Sequence, residues 1–136
     1  MRTAHANSSD SSQRSATVKT EVSLNGMSGK KIVADVVECG TGTPVVFLHG
    51  LVGLNEHWEL VVHSLSKRAR CVTLEMPLLS LRKSDCSIQA VSAMTMQFID
   101  KHFDQPVVLV GNSFGGHVAL RVAHERPELV RSLVLG

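Results

Sequence analysis

Short apolar runs alternate with longer segments of helical period over most of this chain, and this alternation is the strongest constraint on its fold. A short, wholly apolar run is typical of a strand buried on both faces. Strands that alternate with helices of about ten to fifteen residues form parallel βαβ units, whose right-handed crossovers place helices on both faces of one sheet. The sequence therefore predicts an α/β fold with a doubly wound, mostly parallel sheet. The predicted strands are PVVFLHG (44–50), RCVTLEMP (70–77), PVVLVG (106–111) and VRSLVLG (130–136), and the predicted helices span about 55–66, 87–102 and 114–126.

Two further strands are predicted before this region. Residues 18–24 (VKTEVSL) show weak strand alternation, and KKIVADVVECG (30–40) is rich in β-branched residues. The turn signal Asn25-Gly26 lies between them, so the pair is predicted to form a hairpin or meander. Residues 1–16 are rich in serine and contain no apolar segment, which predicts a flexible tail.

The segment GNSFG (111–115) lies between an apolar predicted strand and a predicted helix. In such a turn the serine occupies a sharp, strained bend, so that its hydroxyl projects clear of the sheet. The residues two before and two after it come close together, which favours Gly111 and Gly115. Ser113 is therefore the candidate nucleophile, although a small-residue turn without chemistry is an alternative. A dinucleotide or phosphate-binding loop is disfavoured because the chain has neither GxGxxG after a strand nor Gly-Lys-Ser/Thr.

His49 and Gly50 end another of the apolar strands. Ligands bind at the carboxyl edge of a doubly wound sheet, where this loop would lie beside Ser113. A backbone N–H of the loop, assigned to Leu51, and the N–H of Phe114 would then form a two-donor oxyanion hole. His49 is interpreted as a structural histidine that shapes the loop, and the alternative is a catalytic base.

Three stretches together resemble the α/β-hydrolase superfamily: PVVFLHG, GNSFGGHVAL (111–120) and RPELVRSLVLG (126–136). The resemblance implies a Ser-His-Asp/Glu triad that hydrolyses an ester, thioester, amide or activated C–C bond of a small molecule, without a metal or another cofactor. Members with aspartate at the elbow open epoxides or displace halides, and Ser113 disfavours those reactions. The segment after Glu75 lacks the glycines of the family's Asp-x-Pro-Gly-x-Gly loop, so Glu75 is interpreted as a loop-shaping residue.

The chain offers no well-placed acid and base for such a triad. In this superfamily the acid and then the histidine follow the serine in the sequence, and His117 and His124 lie on the helix directly after the elbow. We therefore expect residues 17–136 to be the N-terminal portion of a single α/β-hydrolase domain, truncated after about the sixth strand and inactive alone. The alternatives are a shortened, non-catalytic protein that binds a ligand or partner, and an acyltransferase or lyase on the same scaffold.

Composition restricts the partners and the compartment. The formal net charge of +2 is too small to indicate nucleic acid or an anionic membrane, and no apolar run is long enough to span a bilayer. The N-terminus lacks the apolar region of a secretory signal. The three cysteines have no CxxC spacing and suit a reducing compartment, and Cys71 is predicted to be a small buried side chain. A cytoplasmic protein that acts on a small molecule is predicted.

Overall fold

The computed structural model describes residues 17–136, and the predicted tail over 1–16 lies outside the described residues. Six strands and three α-helices make up most of the described chain. The strands are β1 (Val18–Asn25), β2 (Lys31–Cys39), β3 (Thr43–Leu48), β4 (Ala69–Glu75), β5 (Val107–Gly111) and β6 (Val130–Leu135), and the helices are α1 (Glu59–Leu65), α2 (Ile88–His102) and α3 (Phe114–Glu125).

The six strands form one mixed sheet in the order β1-β2-β4-β3-β5-β6. β1 pairs antiparallel with β2, as the Asn25-Gly26 turn predicted, and β2 pairs antiparallel with β4. The remaining pairs, β4 with β3, β3 with β5 and β5 with β6, are all parallel. The carboxyl ends of these four parallel strands therefore meet at one edge of the sheet. The predicted doubly wound, mostly parallel α/β sheet is confirmed.

Helices cover both faces of the sheet. Alternate residues of each central strand point to opposite sides, so a wholly apolar strand presents an apolar surface to the helices on each face. Val46 and Leu48 of β3 belong to the larger core cluster beneath α2 and α3. Val45 and Phe47 of the same strand belong to a smaller cluster, against which α1 packs. No helix among residues 17–136 is long and apolar enough to span a bilayer.

The segment predicted as one helix over 55–66 divides into a 3₁₀ turn, Asn55–Trp58, and the short helix α1. The sequence spacing predicts Trp58, Val61, Val62 and Leu65 on the inner side of this segment, but Val61 is 49% exposed. A 3₁₀ turn advances three residues per turn rather than 3.6, which shifts the apolar stripe of the residues that follow. The side chains that pack on the sheet are those of Trp58, Val62 and Leu65.

The start of this segment is held by a carboxylate from the neighbouring strand. The backbone N–H of Asn55 donates a 2.7 Å hydrogen bond to Oε1 of Glu75 at the end of β4. The sequence predicts Asn55 as the N-cap of this segment, but Leu54 holds that position. Glu75 thus supplies the acceptor that a capping side chain would otherwise provide, which agrees with its interpretation as a loop-shaping residue.

Asp85 fastens the β1–β2 hairpin to the rest of the fold. It lies at the end of the 3₁₀ turn Lys83–Asp85, and its side chain is 1% exposed. The sequence predicts a loop for the whole of LLSLRKSDC (78–86). The carboxylate of Asp85 accepts hydrogen bonds from the N–H and the hydroxyl of Ser28, at 2.9 and 2.5 Å. A buried charge is stable only when it is paired or hydrogen-bonded, and here the donors come from the turn between β1 and β2.

We expect Asp85→Asn to destabilise the chain at neutral pH and to have less effect in acid. The Ser28 hydroxyl, aided by the N–H groups of Ser28 and Met27, holds the pKa of Asp85 below its usual value of 3.8. A depressed pKa contributes stability above the unfolded-state value, and that contribution is lost as the pH falls through the folded-state value. In urea unfolding at stepwise lower pH, the difference between the wild-type and Asp85→Asn chains should therefore begin to shrink near pH 4 and vanish only below the folded-state pKa. A difference independent of pH, or an equal loss in the exposed control Asp104→Asn, would contradict this role.

Candidate active site

Ser113 occupies a strained turn between β5 and α3, at the carboxyl edge of the parallel strands. Its φ and ψ are 56° and −116°, and it is the one non-glycine residue with positive φ among residues 17–136. Such a conformation costs on the order of 1–3 kcal/mol and persists only where the surrounding structure enforces it. The side chain is exposed. The turn therefore presents the serine hydroxyl to solvent above the edge of the sheet.

Gly111 and Gly115 allow this turn because the backbone approaches both of them closely. A Cβ on Gly111 would lie 2.4 Å from the carbonyl oxygen of Gly115. A Cβ on Gly115 would lie 2.2 Å from the carbonyl oxygen of Leu48 and 2.7 Å from that of His49. Gly115 is therefore packed against the end of β3, a contact that spacing within the turn does not reveal.

In the first turn of α3, the N–H of Phe114 is the one backbone donor without an acceptor within residues 17–136. The next three N–H groups, those of Gly115, Gly116 and His117, donate to the carbonyl groups of Asn112 and Ser113 at 2.9–3.2 Å. Two of these bonds converge on the Ser113 carbonyl, which is therefore fixed in direction. Within residues 17–136 the N–H of Phe114 donates no such bond, and in a trans peptide it points opposite to the Ser113 carbonyl.

The loop after β3 presents a second donor in the same way. The carbonyl of Gly50 accepts a hydrogen bond from the N–H of Gly53 at 3.0 Å and lies 2.5 Å from Nδ1 of His49. The N–H of Leu51 shares that peptide plane and points away from the carbonyl, and no acceptor for it is found in the described chain. A Cβ on Gly50 would lie 3.6 Å from Cβ of Ser113. This loop therefore passes directly beside the serine.

His49 holds two loops together through its two ring nitrogens. Nε2 accepts a hydrogen bond from the N–H of Met76 at 3.1 Å, while Nδ1 faces the carbonyl of Gly50. Nδ1 therefore carries the proton, because a carbonyl oxygen can only accept. The ring is 6% exposed. With both nitrogens engaged, His49 has the geometry of a loop-shaping residue, and the alternative of a catalytic base receives no support.

No histidine of the described chain is placed to activate Ser113. The serine hydroxyl has no hydrogen-bond partner within residues 17–136, and His117 and His124 on α3 are both exposed. His57 accepts a hydrogen bond at Nδ1 from the N–H of Leu54, at 3.2 Å. Over the same residues, no cluster of three or more His, Cys, Asp or Glu side chains could hold a metal ion. Within residues 17–136 the structure thus brings Ser113, Leu51 and Phe114 to one edge, with no acid or base hydrogen-bonded to the serine hydroxyl.

Comparison with known proteins identifies the family. A family model described as alpha/beta hydrolase fold matches residues 43–135. The chain is 35% identical over 96 residues to the pimeloyl-[acyl-carrier protein] methyl ester esterase of Nitrosomonas europaea, covering 71% of this chain and 37% of the relative. It is 32% identical over 100 residues to the sn-1-specific diacylglycerol lipase of Xenopus laevis, covering 68% and 31%.

A solved structure shows the same architecture. The epoxide hydrolase VrEH1 of Vigna radiata superposes with a TM-score of 0.76 at 25% identity, over 88% of this chain and 38% of that chain. The chain spans about a third of the length of the curated relatives described above. The order of the strands, the turn at Ser113 and the family match agree with one another, and the chain belongs to the α/β-hydrolase fold family.

Proposed function

We propose that this chain carries the nucleophile and the oxyanion hole of a serine hydrolase, with Ser113 as the nucleophile. The observation that carries the proposal is the pair of peptide N–H groups, those of Leu51 and Phe114, that lack acceptors in the described chain and border the strained turn of Ser113. An exposed serine beside two unpaired donors is the arrangement that acyl transfer requires. The elbow glycines Gly111 and Gly115 maintain it.

The chemistry follows from this geometry. The Ser113 hydroxyl attacks the carbonyl carbon of the substrate, and the oxygen that becomes negatively charged accepts hydrogen bonds from the two N–H groups. Each donor shares a peptide plane with a carbonyl that has two contacts of its own, at Gly50 and at Ser113. The donors are therefore oriented before substrate binds. Removing one preorganised donor of this kind lowers kcat by about 10²–10³-fold. The reaction proceeds through an acyl-enzyme or related intermediate and needs no metal or other cofactor.

The triad acid and histidine come, in this proposal, from polypeptide outside these 136 residues. Two observations support this: every described histidine is either exposed or engaged elsewhere, and the relatives are about three times as long as the stretch that matches. A serine without its base is a weak nucleophile. The 136-residue chain alone is therefore proposed to be inactive.

Carboxylic esters are the first substrate class to test, ahead of thioesters, amides and activated C–C bonds. Two relatives with more than 30% identity are named as a methyl ester esterase and a diacylglycerol lipase. The serine at the elbow argues against epoxide opening, although the fold is shared with an epoxide hydrolase.

We place the reaction in the cytoplasm, on a small-molecule substrate.

The test compares two polypeptides on p-nitrophenyl esters. One is the 136-residue chain, and the other, called here the extended protein, is encoded by the reading frame that continues past Gly136. We expect the extended protein to turn over the esters and the 136-residue chain to show at least about 10⁶-fold lower turnover, the effect of removing a triad histidine in a well-studied serine protease. Robust turnover by the 136-residue chain would contradict the proposal that this chain lacks the catalytic base. A stop codon directly after Gly136 would favour the shortened, non-catalytic alternative.

A further inference from the structure

Two cysteines lie directly opposite each other in the sheet. Cys39 is the last residue of β2, and its register partner on the antiparallel strand β4 is Cys71. Directly opposed residues of an antiparallel pair have Cα atoms about 4.5 or 5.5 Å apart, depending on their hydrogen bonding. Disulfides form at Cα separations of about 4.4–6.8 Å. The backbone therefore places both cysteines within bonding range, while both are reduced in this structure.

The two side chains also share one face of the sheet. Cys71 belongs to the core cluster against which α1 packs, and cross-strand partners point to the same side. Cys39 lines a groove of about 1100 Å³ beside α1. Opposed Cβ atoms are about 4.5–5.5 Å apart, whereas a disulfide needs about 3.5–4.5 Å, so closure requires an approach of at most about 2 Å. Cys39 ends its strand, where the backbone is least constrained by pairing.

We propose that Cys39 and Cys71 are a thiol-oxidation site that closes into a reversible cross-strand disulfide. Among the described residues Cys86 is the third cysteine, and it lies elsewhere, with its thiol donating to the carbonyl of Leu78 at 3.3 Å. The site is separate from Ser113 and does not depend on the proposed hydrolase activity.

The exposure of the two thiols sets the order of the reaction. Cys39 is partly exposed at the groove, whereas Cys71 is 0% exposed. The Cys39 thiolate attacks one sulfur of a low-molecular-weight disulfide, such as oxidised glutathione, and releases one thiol. Cys71 then loses its proton, attacks Sγ of Cys39 and releases the second thiol. Two cysteine thiols are oxidised and one external disulfide is reduced to two thiols, so electrons and protons balance.

The second step is the slow one. In the reduced chain, burial and to a lesser extent the neighbouring Cys39 thiolate raise the pKa of the Cys71 thiol to about 11. The mixed disulfide removes the charge on Cys39 but leaves burial, the larger cause. Little of the Cys71 thiol is ionised at neutral pH, and only the thiolate attacks. The mixed disulfide on Cys39 therefore accumulates first, and alkaline conditions should accelerate its conversion to the internal disulfide.

The closed disulfide would tie the hairpin strand β2 to the central strand β4. The loop that it closes, 39–71, contains β3, the turn beside Ser113 and α1. Cross-linking a loop of this length restricts the unfolded chain and raises stability when the native geometry accepts the bond. The oxidised chain is expected to melt roughly 5–15 °C higher than the reduced chain.

The experiment uses the purified 136-residue chain, reduced and then incubated with oxidised glutathione at neutral and alkaline pH. Intact mass under non-reducing conditions should show a transient glutathione adduct, then a species about 2 Da lighter than the reduced chain. Peptide mapping should join Cys39 to Cys71, and dithiothreitol should reverse both the mass change and the rise in melting temperature.

Two variants control the assignment. Cys86→Ser should oxidise like the wild-type chain, whereas Cys39→Ser should form no internal disulfide, and both should melt near the reduced wild type. A glutathione adduct that never resolves, a disulfide that includes Cys86, or a chain that stays reduced would each overturn the proposal.

Discussion

Replacing Ser113 with alanine should abolish covalent labelling of the extended protein by a serine-directed fluorophosphonate and lower its ester turnover by about 10⁶. The hydroxyl is the only group that alanine removes, and the Cβ that occupies the strained turn is kept. The backbone of the turn, and with it the N–H groups of Leu51 and Phe114, should therefore remain in place. Labelling followed by intact mass, together with turnover of p-nitrophenyl esters, measures the effect.

The control variant is Ser64→Ala, which removes an exposed hydroxyl on α1. It should label and turn over substrate like the wild type. Urea unfolding of the 136-residue chain should differ by less than about 0.5 kcal/mol between the wild type and Ser113→Ala. If Ser113→Ala folds normally and still labels at the wild-type rate, Ser113 is not the nucleophile. If it unfolds, peptide mapping of the labelled wild-type protein decides instead, and a phosphonyl group on any residue other than Ser113 would count against the assignment.

Gly115→Ala should destabilise the 136-residue chain by about 3 kcal/mol or more. The new methyl group would lie 2.2 Å from the carbonyl oxygen of Leu48 and 2.7 Å from that of His49, and both are backbone atoms that a rotamer change cannot move. Relief requires α3 to shift away from the end of β3, which breaks the contact between the elbow and the loop beside it. The free energy of unfolding in urea, with the slope of the transition, measures the loss.

The neighbouring glycine provides a matched control. A Cβ on Gly116 would lie 3.5 Å from the nearest backbone atom, the carbonyl oxygen of Gly111, which is ordinary contact. Because alanine is favoured over glycine within a helix by about 1 kcal/mol, Gly116→Ala should be neutral or stabilising. Equal losses in the two variants would mean that the close approach of Gly115 to β3 does not determine the stability of the elbow.

The sequence predicted those parts of the fold that depend on local pattern. The apolar runs that became β3 and β5 lie side by side in the interior of the sheet, and the loop after β3 passes beside Ser113 as expected. Both features follow from general rules for parallel sheets, which apply without knowledge of any particular contact. The expected positions of Leu51 and Phe114 depend on the same rules.

The contacts that the sequence could not reveal join residues far apart in the chain. Asp85 reaches Ser28 of the hairpin turn, and Glu75 reaches the backbone of Asn55. Cys39 and Cys71 became partners only through the register of β2 on β4. Register is set by the whole strand, since a slip of one residue moves every side chain to the other face. No local motif marks any of these pairs.

For His49, the sequence left two alternatives that only its hydrogen-bond partners could separate. The same residue type in the same motif could have served as a base or as a structural group. The N–H of Met76 on one side and the carbonyl of Gly50 on the other determine the tautomer and occupy both nitrogens. A signal of this arrangement exists in the spacing of Gly50 and Gly53, which permits the tight turn between them.

If Ser113 is the nucleophile, as proposed, catalysis and stability favour different residues at this position. A glycine would adopt φ of 56° and ψ of −116° without the steric penalty that serine carries there. Selection for stability alone would therefore replace the serine, and a chain relieved of catalytic duty should drift toward glycine at this position. Directed evolution for thermostability without an activity screen would meet the same trade-off. A serine at the one non-glycine residue with positive φ among residues 17–136 is therefore consistent with the proposed catalytic role.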